Sequence, residues 1–253
     1  MILDQFSLKG KVAVVTGAST GLGQGICLAY VEAGAKVVGV DYVEMPETQK
    51  AIEEKGGEFI GVVANLMTTD PIEGIISTAM EKFGRFDILV NNAGIIRRED
   101  AIDFTVENWD DVININLRTV FFFCQAAARK FIEQGNGGKI INIASMLSFQ
   151  GGIRVPSYTA SKSAVMGITR ALANEWASKG ININAIAPGY MATNNTAALR
   201  ADQDRSEAIL DRIPAGRWGT PADMQGPAVF LASEASNYVN GYTVAVDGGW
   251  LAR

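Results

Sequence analysis

The sequence predicts a single doubly wound α/β domain over residues 1–253, a seven-stranded parallel sheet with helices on both faces. Three observations predict it. Seven short Val/Ile-rich runs alternate with helix-patterned stretches, a glycine-rich turn follows the first run, and 253 residues at 48% hydrophobic content suit one core rather than two.

The strand runs are residues 12–15, 37–40, 59–63, 88–90, 140–143, 181–186 and 244–246. Their near-continuous Val and Ile content suits parallel strands buried on both faces. Gly34, Gly56-Gly57, Gly84, Gly135 and Gly180 each end a helix-patterned stretch just before a strand, as left-handed C-terminal caps do. Two helical stretches are long, 106–134 and 157–178, and the first would span roughly 40 Å if wholly helical. Phe121, Phe122 and Phe123 with Ala126 to Ala128 give it apolar surface on more than one side, which fits an oligomer interface or a thick intramolecular core. Residues 190–221 are the least regular part and are read as a substrate lid.

Composition excludes several functions. A net charge of −5, with no basic run longer than Arg97-Arg98 or Arg129-Lys130, is no footprint for a phosphate backbone, so no nucleic-acid partner is expected. The absence of histidine removes Ser-His-Asp and Cys-His catalysis and His-ligated metal, and no metal is expected. Proton transfer must fall to Asp, Glu, Lys or Tyr. Cys27 and Cys124 lie in apolar surroundings without metal spacing and read as small buried hydrophobes in a reducing compartment. No run nears the roughly 18 apolar residues of a membrane helix, so a soluble, cytoplasmic protein with no membrane partner is expected.

The turn Thr16-Gly17-Ala18-Ser19-Thr20-Gly21-Leu22-Gly23 links the first strand to a helix, with spacing GxxxGxG rather than GxGxxG. Its glycines let the backbone approach a pyrophosphate, and the helix start offers unpaired N–H groups to that anion. Gly17, Ser19, Thr20, Gly21, Leu22 and Gly23 are therefore candidate cofactor contacts. Asp41 ends the second strand near the roughly 20-residue offset at which a carboxylate meets an adenosine ribose. It would repel a 2′-phosphate, and no basic residue stands in the turn or next to Asp41, so NAD is expected rather than NADP. Asn91-Asn92-Ala93-Gly94 follows the fourth strand at the same sheet edge, the first asparagine serving the scaffold.

Tyr158 and Lys162 share one helical face at the (i, i+4) spacing, and Ser145 ends the fifth strand. A phenol near 10 needs a shift worth roughly 4 kcal/mol to act as a base at neutral pH. A lysine charge at about 4.5 Å would supply approximately 3.7 kcal/mol at an effective dielectric near 20.

TGxxxGxG, NNAG, the Asn of ININL, a strand-end Ser and YxxxK, in this order over the whole chain, resemble the short-chain dehydrogenase/reductase family. The resemblance implies that Tyr158 is the acid-base residue and Ser145 orients the substrate oxygen. It further implies that Lys162 holds the nicotinamide ribose and lowers the tyrosine pKa, and that Asn116 anchors a relay water. Asn92, Ala93 and Gly94 would flank the cofactor, as would Pro188, Gly189, Met191 and Thr193 of the PGxxxT turn. Asn65 stands where many relatives carry an aspartate against the adenine. Along GNGGKIINIASMLSFQGGIRVPSYTASKS, APGYMATNNT, RIPAGRWG and YVNGYTVAVDGGWLAR the resemblance narrows to sugar-acid dehydrogenases of uronate breakdown. That implies reversible hydride transfer between NAD and C5 of a small anionic sugar acid, by a homotetramer.

Gln150, Arg154, Arg98 and Arg217 are the candidate substrate contacts. One guanidinium should fork onto the carboxylate, in the order Arg154, Arg98, Arg217. Another polyol dehydrogenase or an acyl-thioester reductase remains a competing enzyme reading, and a non-catalytic nucleotide-binding subunit is the reading from another class.

Overall fold

The computed structural model describes residues 1–253. Seven parallel strands form one sheet in the order β3-β2-β1-β4-β5-β6-β7. They are β1 (Val12–Thr16), β2 (Lys36–Asp41), β3 (Phe59–Val63), β4 (Ile88–Asn91), β5 (Gly138–Ile143), β6 (Ile181–Pro188) and β7 (Thr243–Val246). All seven expected runs are strands, each within a few residues of its expected limits. The helices are α1 (Gly21–Glu32), α2 (Pro46–Glu53), α3 (Ile72–Phe83), α4 (Val106–Ile113), α5 (Thr119–Gln134), α6 (Pro156–Trp176), α7 (Ala197–Ala201), α8 (Gln203–Leu210) and α9 (Pro221–Ala232).

The strands read as continuous apolar runs because both faces are covered. Val12 and Val14 of β1 enter one core with Ile72, Ile75 and Ile76 of α3 and Phe123 and Ala127 of α5. Ala13 and Val15 enter the other, with Ile26 and Tyr30 of α1 and Ala228 and Leu231 of α9. Alternate residues of a strand point to opposite faces, so two cores demand apolar residues at every position. Gly84, Gly135 and Gly180 close their helical segments in the left-handed conformation.

The 106–134 stretch is not one α-helix. Residues Asn114–Arg118 between α4 and α5 form a π turn, and Asn116 sits inside it, fully buried. One extra residue per turn widens the helix there, a distortion that apolar periodicity does not register. Phe123, Cys124 and Ala126 to Ala128 go into the core, while Phe122 stays 40% exposed. One side of that helix is therefore core, and Phe122 on another side is open to solvent.

The order of strands reverses direction between β1 and β4. At such a switch point the loops leaving the two strands part company and open a crevice at their carboxyl ends. The glycine turn, Asp41, the 91–94 turn, Ser145 and the segment after Pro188 all leave the sheet at this edge. No helix is long and apolar enough to cross a membrane.

Candidate active site

The glycine turn is shaped by side chains from three elements. A Cβ on Gly17, whose φ is +68°, would lie 2.7 Å from Asn92 Nδ2, and one on Gly23 would collide with the Gly17 carbonyl. Asn92 Nδ2 donates to the carbonyls of Thr16 at 2.8 Å and Gly17 at 3.1 Å. Thr16 Oγ1 accepts in return from the N–H groups of Asn92 and Ala93, at 3.0 and 2.9 Å. Asn92 therefore holds the turn's shape with both amide hydrogens, a scaffold task the sequence assigned only to Asn91. Asn91 does serve the scaffold: its Nδ2 donates to Asn142 Oδ1 at 2.9 Å.

Thr48 of α2, absent from the motif, donates to the Ala18 and Ser19 carbonyls from a fully buried position. Thr20 precedes α1 without accepting a hydrogen bond on its side chain. The first-turn N–H groups of Gly21, Leu22 and Gly23 are left for an anion, as a pyrophosphate requires. Asp41 is 8% exposed and accepts from Ser19 N at 3.0 Å and Tyr42 N at 2.8 Å. These residues fit a dinucleotide: a cradle without side chains, open helix donors, and a carboxylate where the ribose would lie. Asn65 is exposed just beyond β3, its Oδ1 accepting from Met67 N at 3.0 Å.

Ser145, Tyr158 and Lys162 converge from β5 and α6. Ser145 caps the 3-10 turn Met146–Ser148, and its Oγ accepts from Leu147 N at 3.1 Å. With that acceptor position filled, its O–H is free to donate into the cleft. Lys162 is 4% exposed and stands with Nζ 5.7 Å from the centre of the Tyr158 ring. Gly94 crosses above: a Cβ there would lie 3.0 Å from Asn116 Oδ1 and 3.7 Å from Lys162 Nζ.

Asn116 spends its amide on the protein. Its Oδ1 accepts from Ile95 N at 2.9 Å, and its Nδ2 donates to the Ile95 carbonyl at 2.9 Å and to Ser161 Oγ at 3.3 Å. Ser161 in turn donates to the Tyr158 carbonyl at 2.8 Å. The π turn thereby fixes both the 94–95 turn and the start of α6.

The electrostatics correct the simple tyrosine–lysine balance. Burial pushes Tyr158 above its ordinary 10, with the Ser145 hydroxyl and then the Arg98 charge pulling it down. Burial also lowers Lys162 from 10.5 to about 8. Taking both groups out of water costs more than charge attraction between them returns, so burial dominates both. The phenol is therefore held protonated at neutral pH.

The candidate substrate residues divide. Arg154 Nε pairs with Asp100 at 2.8 Å and its backbone has φ +64°, the one non-glycine residue with positive φ. Arg217 forks onto Asp223 at 2.7 and 2.8 Å. Arg98 forms no ion pair; it donates to the Asn195 carbonyl at 3.1 Å, and its charge reaches Tyr158. Gln150 Oε1 accepts from Trp250 Nε1 at 3.2 Å. Tyr190, Arg212 and Trp250 also gather here, from segments in which no spacing marks a site. Met191 bridges to Gly219, so Pro188, Gly189 and Thr193 leave β6 on a segment stitched to residue 219.

The family model described as enoyl-(acyl carrier protein) reductase matches residues 17–251. The chain belongs to the short-chain dehydrogenase/reductase family. As a member it is an oxidoreductase, and its family motifs are those now seen around one crevice. This short-chain dehydrogenase/reductase is 67% identical over 253 residues to the 2-dehydro-3-deoxy-D-gluconate 5-dehydrogenase of Dickeya dadantii, with 100% of each chain covered. A provisionally named 2-deoxy-D-gluconate 3-dehydrogenase from Agrobacterium tumefaciens, with bound NADP, matches its fold at TM-score 0.92 and 54% identity, over 98% of this chain and 99% of that one. The gluconate 5-dehydrogenase from Burkholderia cenocepacia, in complex with NADP and tartrate, matches at TM-score 0.95 and 37% identity, covering 100% of both.

Proposed function

We propose that this short-chain dehydrogenase/reductase interconverts 2-dehydro-3-deoxy-D-gluconate and 3-deoxy-D-glycero-2,5-hexodiulosonate in the cytoplasm, within pectin and uronate breakdown. The observation that carries the reading is the full-length, 67% identity to a dehydrogenase of that name. Ser145, Tyr158 and Lys162 on one wall of the crevice are the chemistry it needs. A nicotinamide dinucleotide, held by the glycine turn and Asp41, would when bound supply or take up the hydride at C5. Tyr158 donates its phenol proton to the C5 oxygen as the ketone is reduced and recovers one in oxidation, while Ser145 O–H donates to the same oxygen and holds it in place. A phenol kept protonated by burial suits the reducing direction. Lys162 and Asn116 fix the position of Tyr158, and Lys162 also offers its ammonium toward the cofactor ribose.

The preferred cofactor in this reading is NAD, because the Asp41 carboxylate would face a 2′-phosphate with no cation beside it. The NADP bound in the two solved relatives favours the second reading, an enzyme that accepts both. Residues 190–221 act as the substrate lid on a single nucleotide-binding domain, and the exposed part of α5 around Phe122 joins copies into a homotetramer. Gluconate 5-dehydrogenase is the runner-up, favoured by the match to the Burkholderia enzyme.

The test follows NADH and NADPH consumption by the purified protein with the diketo acid, 5-ketogluconate and an acyl thioester, beside Tyr158→Phe. Turnover of the diketo acid with NADH, lowered at least about 100-fold in the variant, is expected. Reaction with the thioester alone would overturn the assignment.

A further inference from the structure

The crevice rim is rich in arginine although the chain is acidic overall. Two of these arginines are already neutralised, Arg154 by Asp100 and Arg217 by Asp223. Arg98, Arg205 and Arg212 have no carboxylate partner, yet all three act on one phenol, that of Tyr190. Like charges brought together without a counter-ion repel, so such a cluster fits an anion that arrives from outside.

Arg212 differs from the other two in being mounted on a platform. Its guanidinium lies 4.0 Å over the Trp250 ring. Trp250 is 4% exposed and packs in a small core with Met146, Ile209 and Ile213. The indole N–H is tied to Gln150 Oε1 at 3.2 Å, and Arg212 touches that same oxygen only at 3.5 Å. Stacking holds the guanidinium plane and leaves its N–H edge free for a planar, two-oxygen partner. Met146 is the residue after Ser145, so the platform adjoins the reacting end of the crevice without occupying it. Arg98 stands at the reacting end, where its charge acts on Tyr158; Arg205 is exposed on α8, and no aromatic stack or side-chain hydrogen bond holds its guanidinium.

We infer that Arg212, stacked on Trp250 and steadied by Gln150, is the residue that receives the substrate carboxylate, and that it sets the preference for acids over neutral polyols. The inference rests on the sugar-acid reading above. An acid reacting at C5 carries its carboxylate at the far end of the chain, which calls for a cation set apart from Tyr158. It also assigns the C-terminal turn a part in specificity.

The experiment compares wild type, Arg212→Gln and Arg212→Lys on the diketo acid and on its neutral methyl ester. Loss of a charge-assisted fork should raise KM for the acid about 10- to 100-fold, leave kcat within about threefold, and leave the ester unaffected. Arg212→Lys should fall between, since an ammonium keeps charge without the fork. Equal losses on acid and ester would mean a structural role, and no change on the acid would place the carboxylate elsewhere; either overturns the inference. Should wild type ignore the diketo acid but reduce 5-ketogluconate, the substrate reading falls, and the same acid-to-ester comparison on that compound still decides Arg212. If wild type reduces no carboxylated compound, both fall.

Discussion

Lys162 Nζ donates to the Ile143 carbonyl at 2.6 Å, and the Lys162 carbonyl accepts from Ser148 Oγ at 2.6 Å. One residue of α6 is thus bound at both ends to the β5 edge that carries Ser145. The arrangement keeps the phenol and the serine hydroxyl aimed at one substrate oxygen, since neither α6 nor the strand end can shift without breaking a buried polar contact.

That fixation has an energetic cost that pH should expose. Burial lowers the folded-state Lys162 from 10.5 to about 8. Between those values the unfolded chain holds the proton more tightly, so stability should rise with pH across the window of about 8 to 10.5. Lys139, also lowered to about 8, contributes in the same direction. Lys162→Met should be inactive yet more stable at pH 7, by at most about 3 kcal/mol, with a flatter rise toward pH 10. Urea unfolding at pH 7, 8.5 and 10 checks this. A less stable variant at pH 7 would mean that the bond to Ile143 outweighs the burial cost.

Tyr158→Phe should lower kcat by roughly 10²- to 10⁴-fold, the usual worth of a placed acid-base group, and leave dinucleotide affinity intact by fluorescence titration. With the phenol raised by burial, reduction should hold level through neutral pH and fall only in alkali, while oxidation should climb with pH. Arg98 is one of the groups lowering the phenol, so Arg98→Gln should move the oxidation limb to higher pH. A shift to lower pH would contradict the placement of that charge.

Asn116→Ala should destabilise and disable together. It strands the N–H and carbonyl of Ile95, each costing about 1–3 kcal/mol when buried without a partner. It also frees Ser161 and with it the first turn of α6. The expected readout is a lower urea midpoint with kcat falling more than KM rises.

Asp41→Ser should improve NADPH binding at least about tenfold relative to NADH, or ~1.4 kcal/mol, by removing a carboxylate facing the 2′-phosphate. Part of the NADH affinity should be lost as well, because Asp41 also holds the Ser19 N–H. Unchanged selectivity in paired titrations would remove Asp41 from the cofactor decision.

Much of this is legible in the amino-acid sequence itself. The seven strands could be read because a strand buried on both faces advertises itself in four or five adjacent residues. The TGxxxGxG turn could be read because its glycines answer to local backbone contacts, such as that of Gly23 against the Gly17 carbonyl. The π turn at Asn116 was invisible, since a single added residue leaves helical periodicity almost intact. Tyr190 and Arg212 lie in the 190–221 segment read as a lid, but no spacing singled them out within it, and they meet Trp250 only when that segment and the C-terminal turn pack together.

The sequence alone thus determined the layer order of the fold, the shape of the phosphate turn and the Tyr158–Lys162 pairing, all of which depend on neighbours a few residues apart. Only the tertiary structure decided which arginines are free and which way the buried tyrosine and lysine titrate. Ion pairing and desolvation depend on distances between segments far apart in the chain. Arg154 pairs with Asp100 and Arg217 with Asp223, through contacts that composition does not reveal. Burial from every side sets Tyr158 and Lys162 against the direction that their spacing alone suggests.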